Sequence, residues 1–155
     1  MVGGCPEWRH PPTHPGVYGG DVVERARISP LTLVLVVIGG AAGVAVRAAL
    51  TLPFTGWTHP LAVPALTLGC NLLGSFLLGI VVGRWAVSRP RLRAFVGTGV
   101  LGGFTTYSAF AVQSIQVATA APIVGLALIA ISLAGGAIAA ALGLALGIRR
   151  DGDAA

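Results

Sequence analysis

Two polar side chains inside an apolar stretch of this sequence could bind an ion. Asn71 lies near the middle of the apolar segment 61–82, and Ser75 follows one helical turn later on the same face. An amide carries two N–H donors and a serine one hydroxyl, so this face could donate hydrogen bonds to an anion. A buried asparagine can equally hold two helices together, and these residues alone leave both interpretations open.

The segment Gly102–Phe110 is a second place where residues could bind an ion, because it combines glycines, hydroxyl groups and aromatic rings. Glycine is a poor helix former and threonine hydroxyls can replace lost backbone partners, so we predict a mid-membrane helix interruption near 102–106. Unwound carbonyl groups there are natural ligands for a small cation such as sodium. Tyr107 and Phe110 share a helix face, where their electropositive ring edges could meet an anion, although such pairs are also common in apolar cores.

Charged groups inside the apolar segments are rare. Arg47 is the single charge of the first segment, about a turn and a half from its end. It either extends to the membrane interface, or attracts an anion or locks the structure, and both interpretations stay open. The five acidic residues all lie outside the apolar segments: Glu7, Asp21, Glu24, Asp151 and Asp153.

The elements that must position these groups follow from composition. The chain has 155 residues, of which 55% are hydrophobic and 10% charged, with a mean hydropathy of +0.86, whereas soluble domains carry about 25% charged residues. Segments of about 20 residues cross a hydrocarbon core of about 30 Å as helices. We therefore predict an all-α integral membrane protein with four transmembrane helices, at about residues 31–52, 61–82, 92–117 and 123–148.

Outside this small membrane domain, residues 31–148, the sequence predicts two tails. Residues 1–30 are polar and rich in proline, and we expect them to be disordered. A His/Cys metal site in this tail is conceivable, but the irregular spacing of its histidines and cysteine favours the disordered tail. Residues 149–155 form a C-terminal tail. Cys5 lies in the polar tail and Cys70 in an apolar segment, so we expect no disulfide and assign Cys70 to packing.

The basic residues predict orientation. All ten are arginine, and none lies in the first loop, 53–60, or the third, 118–122. The positive-inside rule then places both termini and the second loop in the cytoplasm, and the pattern is a topology signal rather than a nucleic-acid footprint. The arginines that flank the segments are Arg25, Arg27, Arg84, Arg89, Arg91, Arg93, Arg149 and Arg150.

Small residues recur four apart along the segments, which lets helix backbones approach closely. Such short spans bury little surface alone, so we expect a dimer or larger assembly. The pairs are Gly39/Gly43, Gly79/Gly83, Gly99/Gly103 and Gly143/Gly147.

Three blocks of residues, in order and each on its own segment, resemble the Fluc/CrcB family of small fluoride channels over about residues 36–148. The first is Gly39-Gly-Ala-Ala-Gly43 followed by Arg47. The second, Thr67-Leu-Gly-Cys-Asn-Leu-Leu-Gly-Ser-Phe76, is similar to the family's asparagine block. The third, Gly102-Gly-Phe-Thr-Thr-Tyr-Ser-Ala-Phe110, is similar to its third-helix signature.

The resemblance implies an antiparallel, dual-topology dimer with two pores in a bacterial plasma (inner) membrane. It implies selective fluoride export from the cytoplasm down the electrochemical gradient, which reduces fluoride toxicity. A structural sodium ion, which is not transported, would be held by the backbone carbonyls of Gly102 and Thr105. The fluoride pore would be lined by Asn71, Ser75, Thr106, Tyr107, Ser108 and Phe110.

The chain departs from the family pattern at Tyr107, Ala109 and Gln113, where the family has phenylalanine, threonine and commonly an acid. Ala109 removes a hydroxyl donor. Homodimeric members also have a nearly neutral charge bias, whereas this chain is strongly biased. Between a homodimer and a heterodimer, we therefore expect a heterodimer with a related, inverted paralogue.

Three rival functions are weighed against a fluoride channel. A small multidrug-type secondary transporter needs a buried acid to bind protons and cations, and the apolar segments contain none. A structural scaffold would conduct nothing, so the effect of pore substitutions on flux separates it from a channel. An enzyme is least favoured, because the sequence suggests no nucleophile–base pair and no nucleotide-binding loop.

Overall fold

The structure of the protein, a computed structural model, describes residues 29–56, 59–86 and 88–152, and for 149–152 the backbone alone. The predicted disorder of the N-terminal tail, the question of a metal site in it, and Cys5 lie outside the described residues. Within them every regular element is helical.

Three of the helices begin at a proline, whose fixed φ suits the first helical position and whose missing N–H costs nothing there. The third helix, α3, has contiguous α-, π- and α-helical parts, Pro90–Arg93, Ala94–Leu101 and Gly102–Phe104. The other elements are α1 (Pro30–Thr51), a 3₁₀ turn (Leu52–Phe54), α2 (Ala62–Arg84), α4 (Tyr107–Ala120) and α5 (Pro122–Gly152).

Four stretches of the described chain are long and apolar enough to cross a membrane, which confirms the predicted number and approximate bounds of the spans. The third of them contains both α3 and α4. The stretches are Pro30–Phe54, Ala62–Arg84, Pro90–Ala120 and Pro122–Ile148.

The helix interruption lies at Thr105 and Thr106, between α3 and α4. Thr105 has φ −84° and ψ 155°, and Thr106 has φ −147° and ψ 117°, so both are extended. The predicted stretch 102–106 contains this point. Its depth within a bilayer stays a prediction.

Two pairs of helices pack with their backbones in close contact, and these contacts fix the relative directions of the helices. Gly79 lies against Ala140 and Leu144, and Gly83 against Gly147, so α2 and α5 run parallel. Glycine is required at these contacts because a Cβ at Gly79 would overlap the Ala140 carbonyl oxygen.

The second pair joins α1 to α3. Gly39 lies against Phe95 and Gly99, and Gly43 against Val100 and Phe104, so these helices also run parallel. Gly97 faces Val81 and Gly74 faces Thr105, so α3 is antiparallel to α2. The beginning of α1, the α2–α3 loop and the end of α5 therefore meet at one end of the molecule.

The apolar core between the helices is small. Its buried apolar side chains are Cys70, Val81, Leu101, Phe104 and Val117. Cys70 is 7% exposed and has a free thiol, in agreement with its predicted packing role. Most large apolar side chains of α1 and α5 face outward, which suits helices that contact lipid.

We expect Gly79→Ala to destabilise the protein, because overpacking a close helix contact costs about 1–3 kcal/mol. The melting temperature in detergent measures it. Gly69→Ala on the same helix is the matched control: its Cβ meets nothing within 4 Å, and alanine favours a helix over glycine by up to about 1 kcal/mol. Equal loss of stability in both variants would contradict the proposed close contact.

Candidate functional site

A pair of hydrogen bonds from one amide side chain satisfies the backbone at the helix interruption. Asn71 Nδ2 donates to the carbonyl oxygen of Thr106 at 3.1 Å, and the Thr106 N–H donates to Asn71 Oδ1 at 2.9 Å. In an apolar medium each unpaired backbone group costs several kcal/mol. Asn71 therefore acts as a clamp that makes the extended conformation of Thr106 tolerable, which is the helix-joining interpretation of this residue.

Both threonines at the interruption make local hydrogen bonds to the backbone. Thr105 Oγ1 donates to the carbonyl oxygen of Leu101 at 3.0 Å, and that oxygen also accepts the Thr105 N–H at 3.0 Å. Thr106 is the N-cap of α4: its Oγ1 accepts the N–H of Ala109 at 3.3 Å. A hydroxyl side chain is favoured at an N-cap, as at Thr106, because it satisfies an N–H that the helix start leaves unpaired.

Two backbone carbonyls near the interruption lose the N–H donors that they would have in a continuous helix. In a continuous helix the Gly102 oxygen would accept from the Thr106 N–H and the Thr105 oxygen from the Ala109 N–H. The first N–H donates to Asn71 and the second to Thr106 Oγ1. Both carbonyls that the sequence associates with sodium have therefore lost their helical donors, and carbonyl oxygens are the ligands a hard cation takes.

Beside the interruption lies a cavity of about 270 Å³. It contains most of the predicted pore and sodium residues, brought together from α2, α3 and α4. Its wall also includes residues of α5 that the sequence did not single out. The walls are formed by Asn71, Gly74, Ser75, Leu78, Gly97, Leu101, Gly102, Thr105, Thr106, Tyr107, Phe110, Ser132 and Leu133.

The aromatic pair stands at the open side of this cavity. The ring centroids of Tyr107 and Phe110 are 6.0 Å apart and the rings are tilted by 55°. Tyr107 is 78% exposed, so one face of the site is uncovered in the single chain. Ser108 is exposed, lies outside the cavity wall and has its Oγ 3.3 Å from Thr106 Oγ1.

Arg47 lies outside the cavity wall and is half-buried. Its Nε donates to the carbonyl oxygen of Gly103 at 3.4 Å, a long bond that ties α1 to the last turn of α3. Of the two interpretations left open by the sequence, this geometry favours the one in which Arg47 locks the structure.

Known proteins are similar in sequence to this chain over most of its length. Residues 34–144 match the family described as CrcB-like protein, Camphor Resistance (CrcB). A Bacillus subtilis (strain 168) protein named fluoride-specific ion channel FluC 2 is 41% identical over 119 residues, which are 76% of this chain and 88% of the relative. The chain belongs to the CrcB-like family.

Two further relatives of this CrcB-like chain carry the same name. The protein from Leifsonia xyli subsp. xyli is 38% identical over 130 residues, covering 77% of this chain and 88% of the relative. The protein from Corynebacterium jeikeium is 36% identical over 143 residues, covering 78% and 81%. Together with its four apolar spans, family membership makes the chain a multi-pass membrane protein.

The sequence analysis did not identify Ser132, a cavity residue of this CrcB-like chain whose hydroxyl can donate a hydrogen bond. Ser132 Oγ is buried and has no hydrogen-bond partner among the described residues. The available signal was that Ser132 is the single polar side chain between residues 123 and 148.

Beyond Phe110, the next turn of α4 carries more buried polar atoms without a partner in the described chain, Gln113 Oε1 and Ser114 Oγ. Ser114 is 2% exposed. Gln113, one of the departures from the family pattern, also lines a second cavity of about 500 Å³ between α2, α4 and α5. Polar groups therefore continue along α4 past the aromatic pair.

Replacing Asn71 by leucine should lower the melting temperature clearly. It leaves the Thr106 N–H and carbonyl without partners, at about 1–3 kcal/mol for each group. Ser75→Ala, one turn along the same helix, is the control, because Ser75 makes no hydrogen bond within the described residues. An unchanged melting temperature for the leucine variant would show that the clamp does not stabilise the interruption.

Proposed function

We propose that this protein forms a fluoride-selective ion channel. The observation that carries the proposal is a cavity that gathers hydrogen-bond donors and aromatic ring edges without a carboxylate. Donors and ring edges attract an anion, and carboxylates would repel it. The names of the family relatives, which are 36–41% identical, specify fluoride as that anion.

Fluoride is small and strongly hydrated, so it enters a narrow pore only where protein donors replace its water. Asn71 has a second N–H beyond the one that Thr106 uses, and Ser75 and Ser132 add hydroxyls in the same cavity. Tyr107 and Phe110 then offer their ring edges. We assign the ion path to these groups, with Thr106 and Ser108 beside it.

The carbonyls of Gly102 and Thr105 would hold the structural sodium ion. Its positive charge would stabilise the carbonyl dipoles at the interruption, without moving through the pore. The support is the diversion of both helical donors described above. Arg47, bonded to the neighbouring Gly103 carbonyl, would keep this turn in place.

The working unit in this proposal is a dual-topology dimer of two antiparallel subunits. Its support is the uncovered side of the site at Tyr107, which a second subunit would close. In this proposal both termini and the α2–α3 loop of the chain lie in the cytoplasm, as the arginine distribution predicts, and so strong a bias favours an inverted CrcB-like partner over a second copy.

The direction of flow follows from the membrane potential of a bacterial plasma membrane. An inside-negative potential contributes about 2.3 kcal/mol per 100 mV for each negative charge that leaves. Export of fluoride then needs neither ATP nor a proton, and it reduces fluoride toxicity.

A proton-coupled multidrug transporter is not favoured, because no acidic residue lies between positions 25 and 150. The relatives are named as ion channels, which also speaks against an enzyme. A non-conducting scaffold is separated from a channel by the following experiment.

Vesicles containing the protein, alone and with an inverted CrcB-like partner, should release fluoride but not chloride, as read with ion-selective electrodes. Phe110→Ile removes a ring edge and should reduce the fluoride flux by about tenfold or more, a loss of about 1.4 kcal/mol. Asn71→Asp should abolish the flux, since a carboxylate repels the anion. Val112→Ala, on the same helix, 56% exposed and outside the cavity wall, is the control.

Fluoride release from neither preparation would contradict the channel. Equal flux through wild type and the Phe110 variant would remove the aromatic pair from the path. Full flux from the chain alone would refute the need for a different partner.

Replacing sodium by N-methyl-D-glucamine should lower the melting temperature of the detergent-solubilised dimer. A bound ion stabilises the folded state in proportion to the logarithm of its concentration, by about 2.7 kcal/mol at a hundredfold excess over its dissociation constant. Choline, another large organic cation, should behave like N-methyl-D-glucamine. Identical melting in all three salts would contradict the sodium site, whatever the flux.

A further inference from the structure

Four exposed arginines gather where α2 ends and α3 begins. Arg84 is the last residue of α2, Arg89 precedes α3, and Arg91 and Arg93 lie in its first turn. We call Arg84, Arg89, Arg91 and Arg93 the arginine collar. The end of α5 reaches the same end of the molecule, as the contact of Gly83 with Gly147 requires.

The collar has no protein counter-charge close in sequence. Every acidic residue of the chain lies before residue 25 or after residue 150, so the described side chains from 29 to 148 include no carboxylate. Four like charges this close in sequence repel one another, and an anion bound among them would relieve that repulsion.

A side-chain hydrogen bond holds the connection between α2 and α3 at the collar. Arg93 Nη1 donates to the carbonyl oxygen of Ala86 at 3.0 Å, which joins the first turn of α3 to the end of α2. Arg84, Arg89 and Arg91 make no hydrogen bond or ion pair within the described part of the chain. Within that part of the chain, nothing occupies these three guanidinium groups.

The position of the collar relative to the membrane indicates which kind of partner it meets. Arg84 closes one candidate membrane span and Pro90 opens the next, so the collar lies within a few residues of the hydrocarbon edge. Trp85, half-buried, sits beside it, and tryptophan is enriched at the level of lipid headgroups. A guanidinium binds phosphate oxygens with two parallel N–H donors, which an ammonium cannot do.

We propose that the arginine collar is a binding site for the phosphate groups of anionic phospholipids. The opposite end of the molecule offers no such site, because its loops, 53–60 and 118–122, contain no arginine or lysine. Each subunit therefore takes anionic lipid from one leaflet only. This inference goes beyond the proposed channel and stands independently of which ion is conducted.

The full chain in detergent, titrated with phosphatidylglycerol or phosphatidylcholine and followed by native mass spectrometry, tests the site. We expect tighter binding of phosphatidylglycerol, by about fivefold for each arginine engaged, which corresponds to about 1 kcal/mol. The double variant Arg89→Gln/Arg91→Gln should bind phosphatidylglycerol about 25-fold more weakly, with phosphatidylcholine binding unchanged.

The double variant Arg89→Lys/Arg91→Lys is the matched control. It keeps the charge but loses the two-pronged geometry, so its affinity should fall between those of wild type and the glutamine variant. If the glutamine variant does not fold, the lysine variant and the loss of selectivity at high salt decide the question.

Equal affinity of the wild type for the two lipids would overturn the proposal, and so would undiminished phosphatidylglycerol binding by a folded glutamine variant. Inorganic phosphate forms the third arm of the experiment. If phosphate at millimolar concentration displaces the lipid completely, the collar is a soluble-anion site and the lipid assignment is wrong.

Discussion

The hydrogen-bond clamp between Asn71 and Thr106 is the interaction on which the rest of this structure depends. A helix cannot be interrupted among apolar surroundings unless something else satisfies the released N–H and carbonyl groups. One amide does both here, with bonds of 2.9 and 3.1 Å. Because the clamp exists, α3 can stop at Phe104, α4 can start at Tyr107, and two carbonyls are left without their helical donors.

The glycine contacts bring the clamp within reach. α1 lies directly on α3 and α2 directly on α5, with backbones so close that a Cβ would collide at Gly43 or Gly143. These two pairs leave α2 facing the interruption, where Gly74 makes room for Thr105. The polar groups are thus positioned by contacts that contain almost no side-chain volume, which explains why the apolar core is so small.

Much of this arrangement could be predicted from the sequence, because its causes are local. The spans follow from apolar length, and the interruption from the glycines and threonines of 102–106. The pairing of Asn71 with Thr106 could not be predicted, since an amide gives no indication of which distant backbone it will meet. Ser132 was missed because one serine in an apolar helix carries no periodic signal. Ser108 lies off the cavity wall because it sits about 100° around α4 from Tyr107, which lines the wall.

The hydrogen bonds of Thr106 bear on how α3 and α4 can move relative to each other. Its N–H, carbonyl and hydroxyl oxygen are all engaged, so straightening the joint between α3 and α4 would require three bonds to break together. In the proposed channel, an ion that passes beside this joint would meet ligands whose spacing these three bonds set, and its transit would depend on how readily those ligands replace its water.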